Sequence, residues 1–179
     1  MAVIKVRNTN EVISGEENVK QFLDQFEVLY EHWDSSKLPK HLEGKFVLTD
    51  DDKAEVLNAF DEDIKSLAAR RGYVQWDVIS LSDATPNIEE LLAKFKDIHT
   101  HSEDEVRAIA AGNGIFVIKG NEQTGYFDVE LEAGDVISVP ENTPHFFTLM
   151  DNRQVVAVRL FIEPAGWVAK PFHDPAFTE

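Results

Sequence analysis

The sequence predicts a mostly β protein, an antiparallel jelly-roll β-barrel with a helical N-terminal part. Three observations support this fold class. Helical spacing of apolar residues dominates the first part of the chain, short strand-like segments follow one another from about residue 98, and turn-forming residues separate those segments. Evenly spaced short strands with such turns are typical of barrels and jelly rolls.

Residues 1–75 are predicted to form a short strand and then helices that lead into the barrel. Ser14 starts a capping-box pattern, so a first helix is expected near residues 15–26. A second helix is expected to begin after the acidic run 50–52 and to end at Gly72, because acidic residues favour a helix start and glycine favours its end. The acidic run lacks the spacing of a calcium loop, so it is interpreted as a helix start.

The barrel is predicted to occupy residues 76–162, and residues 163–179 are expected to run over its outside as a tail. It begins with a strand at 76–81 and a short helix that opens at Pro86. The remaining strands are expected at 105–111, 115–119, 126–131, 136–139, 145–150 and 155–161. A chain of 179 residues has material for one domain, so a single domain is predicted.

Charge and cysteine content limit the possible functions. A formal net charge of -16 without a basic patch argues against nucleic acid and against anionic membrane surfaces as partners. The absence of cysteine removes disulfides and thiolate ligands and favours a cytoplasmic location. Neither a signal-peptide core nor an apolar run of membrane-spanning length is present in the sequence.

Four residues carry the predicted chemistry: His99, His101, Glu105 and His145. The first three occupy odd positions, so in an extended chain they share one face, which is expected to be the barrel interior. Imidazole and carboxylate donors bind a divalent metal and leave positions open for substrate. Taken singly, each histidine could instead be satisfied by a backbone carbonyl, and Glu105 by a salt bridge to Arg107. Taken together, the four residues predict a metal site.

Longer motifs resemble two nested families. His99-x-His101-x3-Glu105, with the later Gly134-x5-Pro140-x4-His145, resembles the two motifs of the cupin superfamily. Segments at 72–81, 99–107, 137–147 and 164–167 are similar to acireductone dioxygenase, and that likeness covers about residues 70–170. Asn142 and Leu149 depart from the broad cupin pattern, and both fit the dioxygenase branch.

The resemblance implies a cupin barrel that holds one Fe2+ or Ni2+ per chain on three histidines and a glutamate. It also implies a role in methionine salvage, with 1,2-dihydroxy-5-(methylthio)pent-1-en-3-one (the acireductone) and dioxygen as substrates. The iron form of the family gives 4-methylthio-2-oxobutanoate and formate, whereas the nickel form gives methylthiopropionate, formate and carbon monoxide. A monomer is expected.

Arg107 and Arg159 are the candidate catalytic residues, because an enediol binds as a dianion and a nearby cation favours that charge. Arg159 lies on an otherwise apolar strand face, a position that suits either a ligand contact or an edge-strand salt bridge. Phe147 and Trp167 could line the methylthio tail, but aromatic residues in a small barrel are usually core. They are therefore kept out of the catalytic set.

Two alternatives remain open. Another cupin enzyme, such as a sugar isomerase or a different dioxygenase, could use the same four ligands. A phosphosugar enzyme would need more pocket cations than this sequence offers. A cupin binding protein without turnover is the second alternative, although such proteins often lack one or more of the ligands that are all present here.

Overall fold

The computed structural model describes residues 1–163 and 169–177. The helices are α1 (Glu16–Asp24), α2 (Asp50–Ala59), α3 (Asp61–Arg71) and α4 (Ile88–Lys96). The strands are β1 (Val3–Val6), β2 (Val12–Ile13), β3 (Leu29–His32), β4 (Gln75–Leu81), β5 (His99–Thr100), β6 (Glu105–Lys119), β7 (Tyr126–Glu132), β8 (Asp135–Val139), β9 (His145–Thr148), β10 (Val155–Phe161) and β11 (Lys170–Pro171). Within these ranges, no helix combines the length and apolar character needed to cross a membrane.

Two antiparallel sheets share the long strand β6. One sheet has the order β4-β10-β6-β8-β3, and the other has the order β11-β5-β9-β6-β7-β1-β2. The first half of β6 pairs in the first sheet and the second half in the second. The predicted jelly-roll class is confirmed, although the pairings among the described strands leave both sheets open at their edges. Division into one domain with boundaries at 75 and 162 stays a prediction.

The turn predicted at residues 112–114 was wrong, because this segment is a bend within β6. The strands expected at 105–111 and 115–119 are one strand, with a register shift opposite Val156 and Ala157. Gly112 has φ +74°, and a Cβ there would lie 2.2 Å from the carbonyl oxygen of Gln154. Glycine therefore lets one strand pass from one sheet to the other.

Replacing Gly112 with alanine is expected to lower the free energy of unfolding by about 2–4 kcal/mol, because backbone strain and a backbone clash act together. Gly44 is the matched control, since its φ is +77° and an added Cβ would meet nothing within 4 Å. Gly44→Ala should cost only about 1 kcal/mol. Urea unfolding of the metal-free proteins measures the free energy of unfolding of each variant. Equal decreases in the two variants would contradict a clash at Gly112.

The alternation of side chains along the strands creates two buried clusters. In the first half of β6 and in β10, odd positions face the space between the sheets, where Ile109 and Ala157 pack with Phe116 and Phe147. Even positions, such as Val106 and Val158, pack beneath α2 and α3. Residues 105–109 keep odd positions on the interior face, whereas beyond the register shift the even positions Phe116 and Ile118 take that face. Glu105 and Arg107 therefore begin β6 on its interior side.

The second predicted helix is two helices, which corrects the sequence expectation. Phe60 has φ -106° and ψ 18°, so it ends α2 and begins α3. Its buried ring stacks on Trp33 at 5.9 Å between centroids, and the acidic residues 61–63 supply a new helix start. Tertiary packing of one aromatic residue and a second acidic turn thus account for the break.

The helix caps also differ from the prediction. Gly15, and not Ser14, precedes α1, and no side chain caps that helix. A capping box exists instead at α2, where Thr49 Oγ1 accepts from the Asp52 amide at 3.1 Å and Asp52 Oδ2 accepts from the Thr49 amide at 3.0 Å. The acidic run interpreted as a helix start is confirmed as one.

The segments on either side of the barrel contribute strands as well. The predicted helical lead-in contains β3, which pairs with β8, and β1, which pairs with β7. In the tail, β11 pairs with β5, so that Pro171 lies opposite His99. The tail therefore becomes an edge strand beside the first predicted ligand.

Candidate metal centre

The structure brings the four predicted ligands together. His99, Glu105 and His145 each begin a strand, while His101 lies in the loop after β5. His99 and His145 are register partners between β5 and β9. All four side chains are buried, and one donor atom from each lies within 4.8 Å of the others. Such a three-histidine, one-carboxylate set has the composition of a site for a divalent metal.

Backbone carbonyls fix the rings of two histidines. His99 Nδ1 lies 2.6 Å from the carbonyl oxygen of Asp97, and His145 Nδ1 lies 2.7 Å from that of Thr143. A carbonyl oxygen only accepts hydrogen bonds, so Nδ1 of each ring carries the hydrogen. Nε2 of each ring then keeps the lone pair that a metal needs. Burial also lowers the pKa of His99, which favours its neutral form.

Glu105 divides its two carboxylate oxygens between the histidines and an arginine. Oε2 contacts Nε2 of His145 and lies 3.6 Å from Nε2 of His101. Oε1 accepts from Arg107 through Nη2 at 3.2 Å and Nε at 3.3 Å. Burial alone would raise the pKa of Glu105, but the charges of His145 and Arg107 hold it below its ordinary value. The carboxylate is therefore ionised.

The electrostatics of the cluster fit a bound cation. Burial works to lower the pKa of His145, yet the adjacent carboxylate of Glu105 raises it above its ordinary value. A positive charge is therefore favoured between Nε2 of His145 and the carboxylate oxygen of Glu105. A divalent ion satisfies the same demand while the imidazoles stay neutral, so these four residues fit a metal.

The two predicted catalytic arginines lie in different surroundings. Arg107 is only 3% exposed, and its guanidinium carbon lies 4.8 Å from the ring centroid of Phe147. Arg159 is its register partner across β10 and β6. The guanidinium of Arg159 donates to Asp77 on β4, from Nε to Oδ1 at 2.8 Å and from Nη2 to Oδ2 at 2.5 Å. Arg107 contacts Glu105 of the cluster. Arg159 forms a salt bridge, but on a strand that is paired on both sides and not on the edge strand that was expected.

Sequence reasoning missed several residues of this site. The ring centroid of Phe95 on α4 lies 5.9 Å from the guanidinium carbon of Arg107, and the sequence predicted the short helix but not this contact. Asp77 was not identified as the partner of Arg159, because pairing across strands depends on a register that spacing does not reveal. Phe147 packs with Phe116 and Phe95 as core. Trp167 and the rest of its motif lie outside the described residues.

A cleft opens beside the cluster. It has a volume of about 480 Å³ and lies between the end of α4 and the tail, with His99 in its wall. A cavity of about 600 Å³ elsewhere is lined by Tyr126 and Phe177 and includes none of the four ligands. Of the four residues, His99 is the one that reaches the wall of this cleft.

Comparisons with known proteins agree on one family. The model of the ARD/ARD' family matches residues 3–169. The chain is 67% identical over 174 residues to the acireductone dioxygenase of Geobacillus thermodenitrificans, covering 97% of each. It is 54% identical over 168 residues to that of Bacillus anthracis, covering 94% of this chain and 98% of the relative.

A solved structure is similar throughout. It is described as acireductone dioxygenase from Bacillus anthracis with a cadmium ion in the active centre, and it is 53% identical with a TM-score of 0.90. The match covers 94% of this chain and 97% of that one. With the family model spanning most of the sequence, these findings show that the chain belongs to the ARD/ARD' family.

Proposed function

We propose that the protein is an acireductone dioxygenase of methionine salvage. Its substrates are 1,2-dihydroxy-5-(methylthio)pent-1-en-3-one and dioxygen, and one Fe2+ or Ni2+ per chain is held by His99, His101, Glu105 and His145. The observation that carries this proposal is the buried cluster of four donors in a chain of this family. When bound, the ion supplies Lewis-acid and redox chemistry.

The residues around the cluster prepare it for an anionic substrate. An enediol that loses its protons is a dianion, and Arg107 offers a fixed positive charge in the barrel interior. Burial lowers the pKa of Arg107 and the contact with Glu105 opposes this, but a guanidinium remains protonated in proteins. Because water is largely excluded around it, that charge acts more strongly than it would at the surface.

We assign the two arginines different roles. Arg107 is the proposed substrate contact, because it lies beside the ligands and is surrounded by Phe95, Phe116 and Phe147. Arg159 is proposed to support it from the neighbouring strand, held in place by Asp77. The aromatic rings keep water from the arginine, so that its charge acts in largely apolar surroundings.

The functional unit is proposed to be one chain in the cytoplasm. All four donors come from the same chain, so the site needs no residue from a second copy. The absence of cysteine supports a reducing compartment. A strongly negative net charge gives no support to nucleic acid or anionic membranes as partners.

The metal exchange experiment tests this function. Histidine and carboxylate donors discriminate weakly among first-row divalent ions, so the stripped protein should accept either Fe2+ or Ni2+. Supplied with acireductone and dioxygen, the nickel form should release carbon monoxide, formate and methylthiopropionate. The iron form should release formate and 4-methylthio-2-oxobutanoate without carbon monoxide. Headspace gas analysis and chromatography of the acids measure the products.

The metal-free protein is the control for that experiment. Both loaded forms should consume acireductone faster than the control does. Equal rates in all three samples would overturn the proposed function, while leaving open a cupin that binds metal without this turnover. Identical products from both metals would instead contradict the dependence of the reaction on the ion.

A further inference from the structure

Asp104 stands next to a proposed ligand, yet its side chain bonds away from the cluster. Its Oδ2 accepts from the Tyr73 hydroxyl at 3.0 Å and from Arg71 Nη2 at 3.1 Å. Its Oδ1 accepts from the backbone amide of Glu141 at 3.3 Å. One carboxylate therefore joins the end of α3, the loop before β6 and the turn before β9.

The turn held by Asp104 also orients a histidine. Beside the amide of Glu141, the amide of Asn142 donates to the carbonyl of His101 at 2.9 Å. The carbonyl oxygen of Thr143, the residue after Asn142, accepts from His145 Nδ1 at 2.7 Å. Three consecutive residues of the turn thus connect to Asp104, to the backbone of one ligand and to the ring of another.

Tyr73 is suited to anchor this arrangement from the helical side. Its side chain is buried, and burial raises the pKa of its hydroxyl, so the proton needed for donation is retained. The same hydroxyl lies 3.4 Å from Ser138 Oγ on β8. Tyr73 therefore connects Asp104 to the sheet that contains the start of β6.

We propose that Asp104 is a positioning residue that holds the two ligand-bearing segments, 99–105 and 141–145, in the geometry the metal requires. The ligands come from two segments that are distant in sequence, so a flexible loop or turn would have to be ordered whenever a metal binds. Bonds already made by Asp104 remove part of that cost. This inference rests on the proposed metal binding at the four-residue cluster.

The test compares Ni2+ affinity among variants of the full chain, by competition with a chromogenic chelator. Asp104→Ala should weaken Ni2+ binding by about 10- to 100-fold, the range found when residues supporting metal ligands are removed. Asp104→Asn keeps one acceptor oxygen, so its Ni2+ affinity should fall less than that of Asp104→Ala. Tyr73→Phe should weaken Ni2+ binding several-fold. Combining Tyr73→Phe with Asp104→Ala should weaken Ni2+ binding little beyond Asp104→Ala alone, because Tyr73 is proposed to reach the ligand segments through its bond to Asp104.

Asp63→Ala is the matched control. Asp63 lies on α3 and forms an ion pair with Lys37 at 2.8 Å, with an exposure similar to that of Asp104. Its Ni2+ affinity should equal that of the unmodified protein. An Asp104→Ala affinity within twofold of this control would overturn the inference, whereas failure of the unmodified protein to bind Ni2+ would overturn the proposed function itself. If Asp104→Ala does not fold, an unchanged affinity in Tyr73→Phe overturns the inference instead.

Discussion

Replacing His145 with alanine is expected to abolish stoichiometric metal binding. The ring of His145 contacts Glu105 and is held in orientation by Thr143. Structural zinc in four-ligand zinc-finger sites is bound by about 10–16 kcal/mol, so one ligand accounts for roughly 2.5–4 kcal/mol, or about 10²- to 10³-fold in affinity. Three ligands and water then bind the ion too weakly to survive purification.

The same loss is expected for His99→Ala and His101→Ala. Elemental analysis of each purified protein, followed by equilibrium dialysis against Ni2+, gives both metal content and affinity. His41→Ala is the control, since that histidine has a side chain 62% exposed and pairs with Glu55. One metal ion per chain in any of the three ligand variants would remove that residue from the ligand set.

The four-donor cluster could be predicted from the residue types and their spacing. Alternation along an extended chain predicts one face for His99, His101 and Glu105. In the structure, however, His101 lies in the loop between β5 and β6, so the folding of that loop and not alternation alone brings it to the cluster. His145 needed a longer inference, that a turn and a strand return to the first motif. The register between His99 and His145 shows how that return is made.

The bend in β6 could not be predicted in the same way. Gly112-Asn113-Gly114 carries the composition of a hairpin turn, and only the approach of the Gln154 carbonyl shows that the strand continues through it. The break at Phe60 has a similar origin, because a buried ring and not a helix-breaking residue interrupts the helix. Both outcomes depend on tertiary contacts that local patterns do not contain.

The surroundings of the site were the least predictable part. Asp104 and Tyr73 are far apart in sequence, and neither has a spacing that points to the other. The carbonyl groups of Asp97 and Thr143 leave no sequence signal at all, since every residue has one. Residue types therefore revealed the four candidate ligands, while the groups that orient their side chains became visible only in the fold.

Arg107→Met is expected to lower kcat/KM by roughly 30- to 1000-fold while the metal stays bound. Removal of one buried, fixed charge that faces a developing anion costs about 2–4 kcal/mol of transition-state stabilisation. Methionine fills a similar space among the aromatic rings, so the packing around Phe147 should be kept. Glu105 loses its arginine partner, but in the loaded enzyme the metal ion balances its charge. Steady-state kinetics paired with elemental analysis separates catalysis from metal loss.

Arg159→Met provides the contrast that gives the Arg107 result its meaning. Arg159 and Asp77 have side chains 28% and 42% exposed, so their ion pair contributes about 0–1 kcal/mol and its loss should change kcat/KM less than tenfold. The loss of kcat/KM in Arg107→Lys should lie between the losses in Arg107→Met and Arg159→Met. Lysine keeps the positive charge, but it lacks the planar guanidinium that reaches Glu105 through both Nε and Nη2. Full activity in metal-loaded Arg107→Met would assign that arginine to structure alone. Equal losses in Arg107→Met and Arg159→Met would instead mean that the strand pair acts as a unit, and that the proposed division of roles between the two arginines is wrong.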